Sequence, residues 1–338
     1  MSALDLKSPV PGKIPDYWRE FDDIAEKDAA EVTQFTASDG HNLTVYEFGR
    51  GNPDGVVIVN ALVAPFLLMA RLTGELSKRY RVISWENRGG PFLKETVRPS
   101  TVTLSRQAQD FIEIVAAKGL KRFHTVALCS GAPVLAWAAS HVPLPMRSVS
   151  LYAPSGAGTA DVTTPYQDVF APMIKQAGAS TSAEARRMAK MLQEHVRARH
   201  KRDNITGQIS RLAYLNFREL DGAAGFARVM TDYWSLDIAE RHAEFDEMAR
   251  RHPVMVMHAL DDTIVDYTAS LNGCTRTRLP KLVIYPTGGH FKLSEPEPDA
   301  RRDVAAFMAV HDMAEPEIDW PGLEPGLHLG PIHPADWA

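Results

Sequence analysis

The sequence predicts an α/β protein, a mostly parallel sheet with helices on both faces and an inserted helical cap. Three observations carry that expectation. Short apolar runs alternate with helical periodicity through the first half of the chain. Residues 156–251 then contain no convincing strand, after which two more apolar runs appear. Finally, Thr125-Val126-Ala127-Leu128-Cys129-Ser130-Gly131-Ala132-Pro133 joins a buried-strand pattern directly to a helix rich in small residues.

Taken in order, residues 1–30 are a polar, Pro-containing extension with a short amphipathic helix over 17–29. Residues 31–36 (EVTQFT) and 43–48 (LTVYEF) read as two strands around the turn Ser38-Asp39-Gly40-His41. Residues 55–60 (GVVIVN) are nearly continuous in apolar character, as in a central parallel strand. Helix 65–79, strand 80–85 (YRVISW), helix 103–118, strand 123–128, helix 132–140 and strand 147–153 (RSVSLYA) follow. Such alternation implies right-handed crossovers, and the initial hairpin adds an antiparallel edge. Residues 182–202, 206–216, 222–233 and 236–250 read as helices of a cap spanning 156–251. Strands 254–258 (VMVMH) and 281–285 (KLVIY) and helix 299–311 complete a core of 31–155 and 252–312. Residues 313–338 are a Pro-rich tail expected to be irregular.

Composition narrows the function. The 338 residues are 45% hydrophobic, enough for one large domain with an insertion. A net charge of -5 with mixed signs argues against a general nucleic-acid binder. Two cysteines, Cys129 and Cys274, make no disulfide framework, and Cys274 reads as structural. There is no signal-peptide core and no apolar run of the roughly 18 residues that span a bilayer, so a cytoplasmic location is expected, with no membrane partner. His195, His200, His242 and His252 lack ligand spacing, so neither a metal nor another cofactor is expected.

The 125–133 junction has the form small-x-Cys-x-small, the shape of a sharp strand-to-helix turn that lifts a nucleophile off a sheet edge. Residues two before and two after the nucleophile must be small. With Cys129 they are Ala127 and Gly131; with Ser130 they would be Leu128 and Ala132, and Leu128 is too bulky. A cysteine nucleophile needs a base and an orienting acid. Asp261-Asp262 follows strand 254–258, and Gly288-Gly289-His290-Phe291 follows strand 281–285, so both lie at the same sheet edge as Cys129. Singly, each has a bland reading: a buried core cysteine, a turn aspartate, a loop histidine. Their order and their positions after strands give them joint meaning.

On these residues the chain resembles a cap-bearing member of the α/β-hydrolase superfamily. Asn60-Ala61-Leu62 stands where the family's oxyanion loop lies, and Glu86-Asn87-Arg88-Gly89 resembles its Asp-x-Arg-Gly segment. Asp261-Asp262-Thr263-Ile264-Val265 resembles the acid loop in a register that selects Asp262 over Asp261. The resemblance implies a Cys129-Asp262-His290 triad and an oxyanion hole of the Ser130 and Leu62 backbone N–H groups. Ala61, Val63, Tyr214, Tyr233 and Trp234 are expected at the substrate pocket.

A cysteine there makes a thioester intermediate, which stays activated towards amines, alcohols and thiols. The expected function is therefore acyl transfer or thioesterase work on a thioester or activated ester. The segments 84–89 and 126–129 look most like the stand-alone thioesterase and acyltransferase proteins of natural-product assembly lines. Dienelactone hydrolases and polyhydroxyalkanoate synthases also carry the cysteine but differ in cap or elbow. The donor is expected as a CoA- or carrier-bound acyl group, with the basic run Arg186, Arg187, Lys190, Arg197, Arg199, Lys201 and Arg202 either a solvated face or a docking surface. Hydrolysis of esters, lactones or carbon–carbon bonds is the alternative on the same machinery, and a non-catalytic binding protein the alternative of another class.

Overall fold

The computed structural model describes residues 30–91, 101–156, 163–179, 215–218, 220–277, 281–313 and 326–329, with isolated positions 187, 190, 191 and 194. Its frame is one nine-stranded sheet. The strands are β1 (Glu31–Thr36), β2 (Asn42–Phe48), β3 (Gly55–Val59), β4 (Arg81–Trp85), β5 (Phe123–Leu128), β6 (Met146–Tyr152), β7 (Val254–Ala259), β8 (Lys281–Tyr285) and β9 (Gly326–Leu329). They lie in the order β1-β2-β4-β3-β5-β6-β7-β8-β9. Only the β1–β2 and β2–β4 pairs are antiparallel. Every residue of β3, β5, β7 and β8 is buried, which is why these strands read as unbroken apolar runs.

The helices are α1 (Ala70–Leu76), α2 (Leu104–Ala117), α3 (Gly131–His141), α4 (Pro165–Ala179), α5 (Leu220–Tyr233), α6 (Ile238–Arg251), α7 (Tyr267–Thr277) and α8 (Asp299–Met313). α4 packs on α5, whereas α6 packs on α3 and serves as the crossover helix into β7. Among the described residues no helix is long and apolar enough to cross a membrane.

Several expectations need correction. The single helix expected over 65–79 is a 3-10 turn (Phe66–Met69) followed by α1, because Met69 leaves helical geometry at φ -97° and ψ 9°. α4 and α7 have no counterpart in the sequence reading. The tail is not wholly irregular: Gly326–Leu329 adds to the sheet as β9, parallel to β8. An open strand edge accepts even a short segment, which local pattern alone does not announce. The expected helix over 17–29, most of 182–216 and most of the basic run lie outside the described residues, as does the side chain of Cys274.

The last turn of α8 is locked to the sheet by one carboxylate. Asp312 Oδ1 lies 2.8 Å from His124 Nε2 on β5 and accepts from Arg147 Nη1 at 2.8 Å. Asp312 Oδ2 accepts from the Tyr80 hydroxyl at 2.6 Å. Burial opposes ionisation of Asp312, but the His124 and Tyr80 hydrogen bonds and the His124 charge outweigh it and hold the carboxyl at about 2, below the ordinary 3.8. A depressed carboxylate stabilises the fold above its unfolded pKa, and that contribution is lost as pH falls through the folded one. Asp312→Asn is therefore expected to cost about 3 kcal/mol in urea unfolding at neutral pH. The gap to the wild type should close between about pH 4 and pH 2; a gap independent of pH would refute the assignment.

Candidate active site

At the end of β5 the chain must reverse into α3 within two residues. Cys129 takes φ +49°, a left-handed conformation unusual for a side-chain-bearing residue. It is held there by its N–H donating to Tyr152 O at 2.9 Å and by its carbonyl accepting from Ala132 N at 3.1 Å and Ser155 N at 3.3 Å. Gly131 passes so close to β3 that a Cβ would lie 2.5 Å from Val59 O and 2.6 Å from Asn60 O. The small residue two positions on from Cys129 is thus required by backbone contact. Ala127, the small residue on the other side, is fully buried.

The loops after β7 and β8 converge on this turn. His290 Nδ1 lies 2.8 Å from Asp262 Oδ2, and the Cys129 sulfur is close enough to act on the charge of the ring. The Asp262 side chain has no solvent exposure. Its Oδ1 accepts from the N–H groups of Ile264 (2.8 Å) and Val265 (3.1 Å). Its Oδ2 is shared with a second histidine, His258 on β7, whose Nε2 is 3.1 Å away. Val265 O is also 3.0 Å from that nitrogen, so two acceptors meet there and Nε2 carries a proton. His258 Nδ1 lies 2.7 Å from Ser270 Oγ on α7.

Electrostatics follow this geometry. Burial opposes a charge on His290, but the Asp262 carboxylate and the Cys129 sulfur outweigh it and push the ring up to about 10. Burial likewise opposes a charge on Asp262, and the His290 charge with the two histidine hydrogen bonds holds it well below the ordinary carboxylate range. Asp261 has a different job. It accepts from Gly289 N at 2.8 Å and Gly288 N at 3.3 Å, bracing the histidine loop, while Tyr152 donates to Gly289 O at 2.6 Å. Gly288 sits at φ +122°, where an L side chain is strained.

Asn60-Ala61-Leu62-Val63 lies beside the elbow. The Leu62 N–H, expected as an oxyanion donor, donates to Ser130 Oγ at 2.9 Å. An oxygen of the protein therefore already sits on that donor. The loop is pinned by three asparagines. Asn60 donates to Ala64 O and Pro65 O, Asn87 to Asn60 O and Ala61 O, and Asn216 reaches from the 3-10 turn Leu215–Arg218 to Val63 O at 2.6 Å. Val63 is at φ +58°, so the loop is held in a form it would not choose alone. Glu86 anchors the next segment by accepting from Phe66 N and the Tyr46 hydroxyl.

A cavity of about 500 Å³ lies beside the first turn of α3, walled by Pro133, Ser155, Tyr233 and residues of α4 and α6; Cys129 and His290 are not among its lining residues. Of the expected pocket residues, Tyr233 and Trp234 line it; Ala61 and Val63 are buried in the loop and do not, and Tyr214 lies outside the described residues. Tyr233 hydrogen bonds Ser155 hydroxyl to hydroxyl. His258, Ser155, Asn216 and Arg241, which also lines the cavity, were not singled out by the sequence. His258 alone had a local signal, standing at a strand end four residues before Asp262. Among the described residues no cluster of three His, Cys, Asp or Glu side chains is placed to hold a metal ion.

A search of curated protein sequences gives no match. Solved structures with the same fold include a hydrolase from Pseudomonas aeruginosa, at 19% identity and a TM-score of 0.63, covering 82% of this chain and 98% of its own. An esterase from Exiguobacterium antarcticum gives 13% identity and a TM-score of 0.64, with 82% of this chain and 100% of its own covered. A serine hydrolase from Cycloclasticus zankles gives 13% identity and 0.60, over 84% of this chain and all of its own. The model of the alpha/beta hydrolase fold family matches residues 54–296, well over half of the chain, which therefore belongs to that family.

Proposed function

We propose that the protein is an acyl-handling enzyme that works through a covalent thioester on Cys129. The observation that carries this reading is the convergence of Cys129, on a positive-φ turn, with His290, whose Nδ1 is 2.8 Å from the buried Asp262. With His290 held at about 10, the Cys129 proton already rests on the His290 nitrogen opposite Asp262, and the sulfur attacks an acyl carbonyl. The tetrahedral oxyanion is met by the Ser130 N–H at the start of α3 and by the Leu62 N–H once it displaces the Ser130 hydroxyl. The leaving thiolate or alkoxide takes the proton from His290, and the acyl group stays on sulfur. An acceptor then gives its proton to His290, attacks the thioester and frees Cys129.

Exchange from a CoA or carrier-protein thioester to Cys129 is close to isoenergetic, which favours transfer or thioesterase work over simple ester cleavage and fits a role in secondary metabolism. Hydrolysis by the same steps, with water as acceptor, is the second reading; the esterase and the hydrolase among the similar structures favour it. His258 would act as a positioning residue, sharing Asp262 Oδ2 with His290 and fixing the carboxylate between two N–H donors.

Three outcomes are expected. Incubation with acyl thioesters should add the acyl mass to the intact protein but not to Cys129→Ala; equal labelling of both, or unchanged turnover in the variant, would sink the covalent role. Asp262→Asn removes the charge that raises His290, so the alkaline limb of kcat/KM should move down from about pH 10. The same variant should lose roughly 10²- to 10⁴-fold in rate; an unmoved alkaline limb would contradict the assigned role. Ser130→Ala uncovers the Leu62 donor and is expected to raise the acylation rate about fivefold, the value of one competing hydrogen bond. A slower Ser130→Ala enzyme would instead make the hydroxyl a contributor to the oxyanion hole.

A further inference from the structure

The cavity beside the start of α3 has mainly apolar walls, from Pro133, Trp234, Leu236, Ile238 and Val265 among others. Arg241, on the first turns of α6, breaks that pattern. It is only 6% exposed and contributes to the cavity wall. Neither its Nε nor its Nη1 makes a hydrogen bond among the described residues. Nη1 stands 2.5 Å from Glu244 Oε2, but off-axis, so the two groups form an ion pair without satisfying each other's hydrogen-bonding capacity. Glu240 is 3.9 Å from Nη2 and largely exposed.

A buried guanidinium with unused donors is costly unless something supplies acceptors. The local acids compensate it only in part. Burial pushes Glu244 up to about 7, against the pull of the Arg241 charge. On the cavity wall itself Lys175 accompanies Arg241, and Asp168, the acid there, is already accepting from the Thr163 hydroxyl at 2.7 Å. The cavity adjoins the elbow through Ser155, which lines it beside Tyr233 and Arg241, donates its N–H to Cys129 O at 3.3 Å and hydrogen bonds the Tyr233 hydroxyl. A planar carboxylate matches the adjacent Nε and Nη donors of an arginine better than a rounder anion or a neutral carbonyl does.

We infer that Arg241 recognises a carboxylate at the far end of the acyl group, so that the preferred donors are half-thioesters or half-esters of dicarboxylic acids. This rests on Cys129 being the acylated residue, and the apolar walls would take the methylene chain between the two ends.

Two measurements on the full-length protein test it separately from that reading. In the first, monomethyl glutarate and dimethyl glutarate are titrated by calorimetry. The wild type is expected to bind the monoacid about tenfold more tightly, and Arg241→Gln to bind both alike. In the second, acyl loading of Cys129 is followed by intact mass with N-acetylcysteamine thioesters of succinate, glutarate and adipate, each beside its methyl ester. At least one free acid should load about tenfold faster than its ester in the wild type, with the preference gone in Arg241→Gln and partly kept in Arg241→Lys. Should Arg241→Gln fail to fold, the acid-to-ester ratio in the wild type decides alone. Equal binding and equal loading of acid and ester would overturn the role of Arg241 and leave Cys129 in place. Arg241-dependent binding with no donor loading Cys129 would do the reverse, upholding the carboxylate site while removing the covalent reading.

Discussion

The close approach of α3 to β3 sets the terms for the rest of the site. With Gly131 pressed against the carbonyls of Val59 and Asn60, the backbone at Cys129 has no room to relax out of its left-handed turn. Its N–H remains bonded to Tyr152, so the residue leaves the sheet without leaving its hydrogen-bond register. The same contact holds the start of α3 next to the loop carrying Leu62. A methyl group on residue 131 would therefore disturb Cys129, the helix start and the loop that follows β3 together.

Around that turn the charges are arranged before any substrate arrives. Asp262 is fully withdrawn from solvent, yet both its oxygens are satisfied, one by two backbone N–H groups and the other by two histidines. A buried carboxylate with four donors needs no further reorganisation when His290 becomes charged. Asp261 holds the loop that carries His290, so neighbouring aspartates fix the side chain and the backbone of one residue. A sequence register favours the second of them; only the geometry gives the first a purpose.

The strands were legible because a central parallel strand is buried on both faces, and the runs GVVIV, FHTVAL and VMVMHA need no neighbours to be recognised. Cys129, Asp262 and His290 could be named as candidates because each follows such a run, and the structure brings Asp262 and His290 within 2.8 Å. What escaped depends on contacts between distant segments. β9 exists as a strand only beside β8. Arg241 sits in IAERHAEFDEMARR, which reads as a solvated charged helix until α6 is seen to pack on α3 and turn this arginine inward. The sequence proposes the Leu62 N–H as an oxyanion donor, but no pattern in the chain announces that Ser130 Oγ sits against it.

The bond from Asn216 to Val63 has a mechanical consequence. Asn216 belongs to the turn that precedes α5, and α5 ends at Tyr233 on the cavity wall, while Val63 belongs to the loop whose Leu62 N–H meets Ser130. With Val63 held at positive φ, the loop's shape is borrowed from the turn that grips it. Any force that shifts the roof is passed to the loop through one 2.6 Å contact. On the proposed acyl chemistry, filling the chamber and readying the oxyanion loop are a single event, and a guest too small to steady the roof would be a poor substrate however well its carbonyl fits.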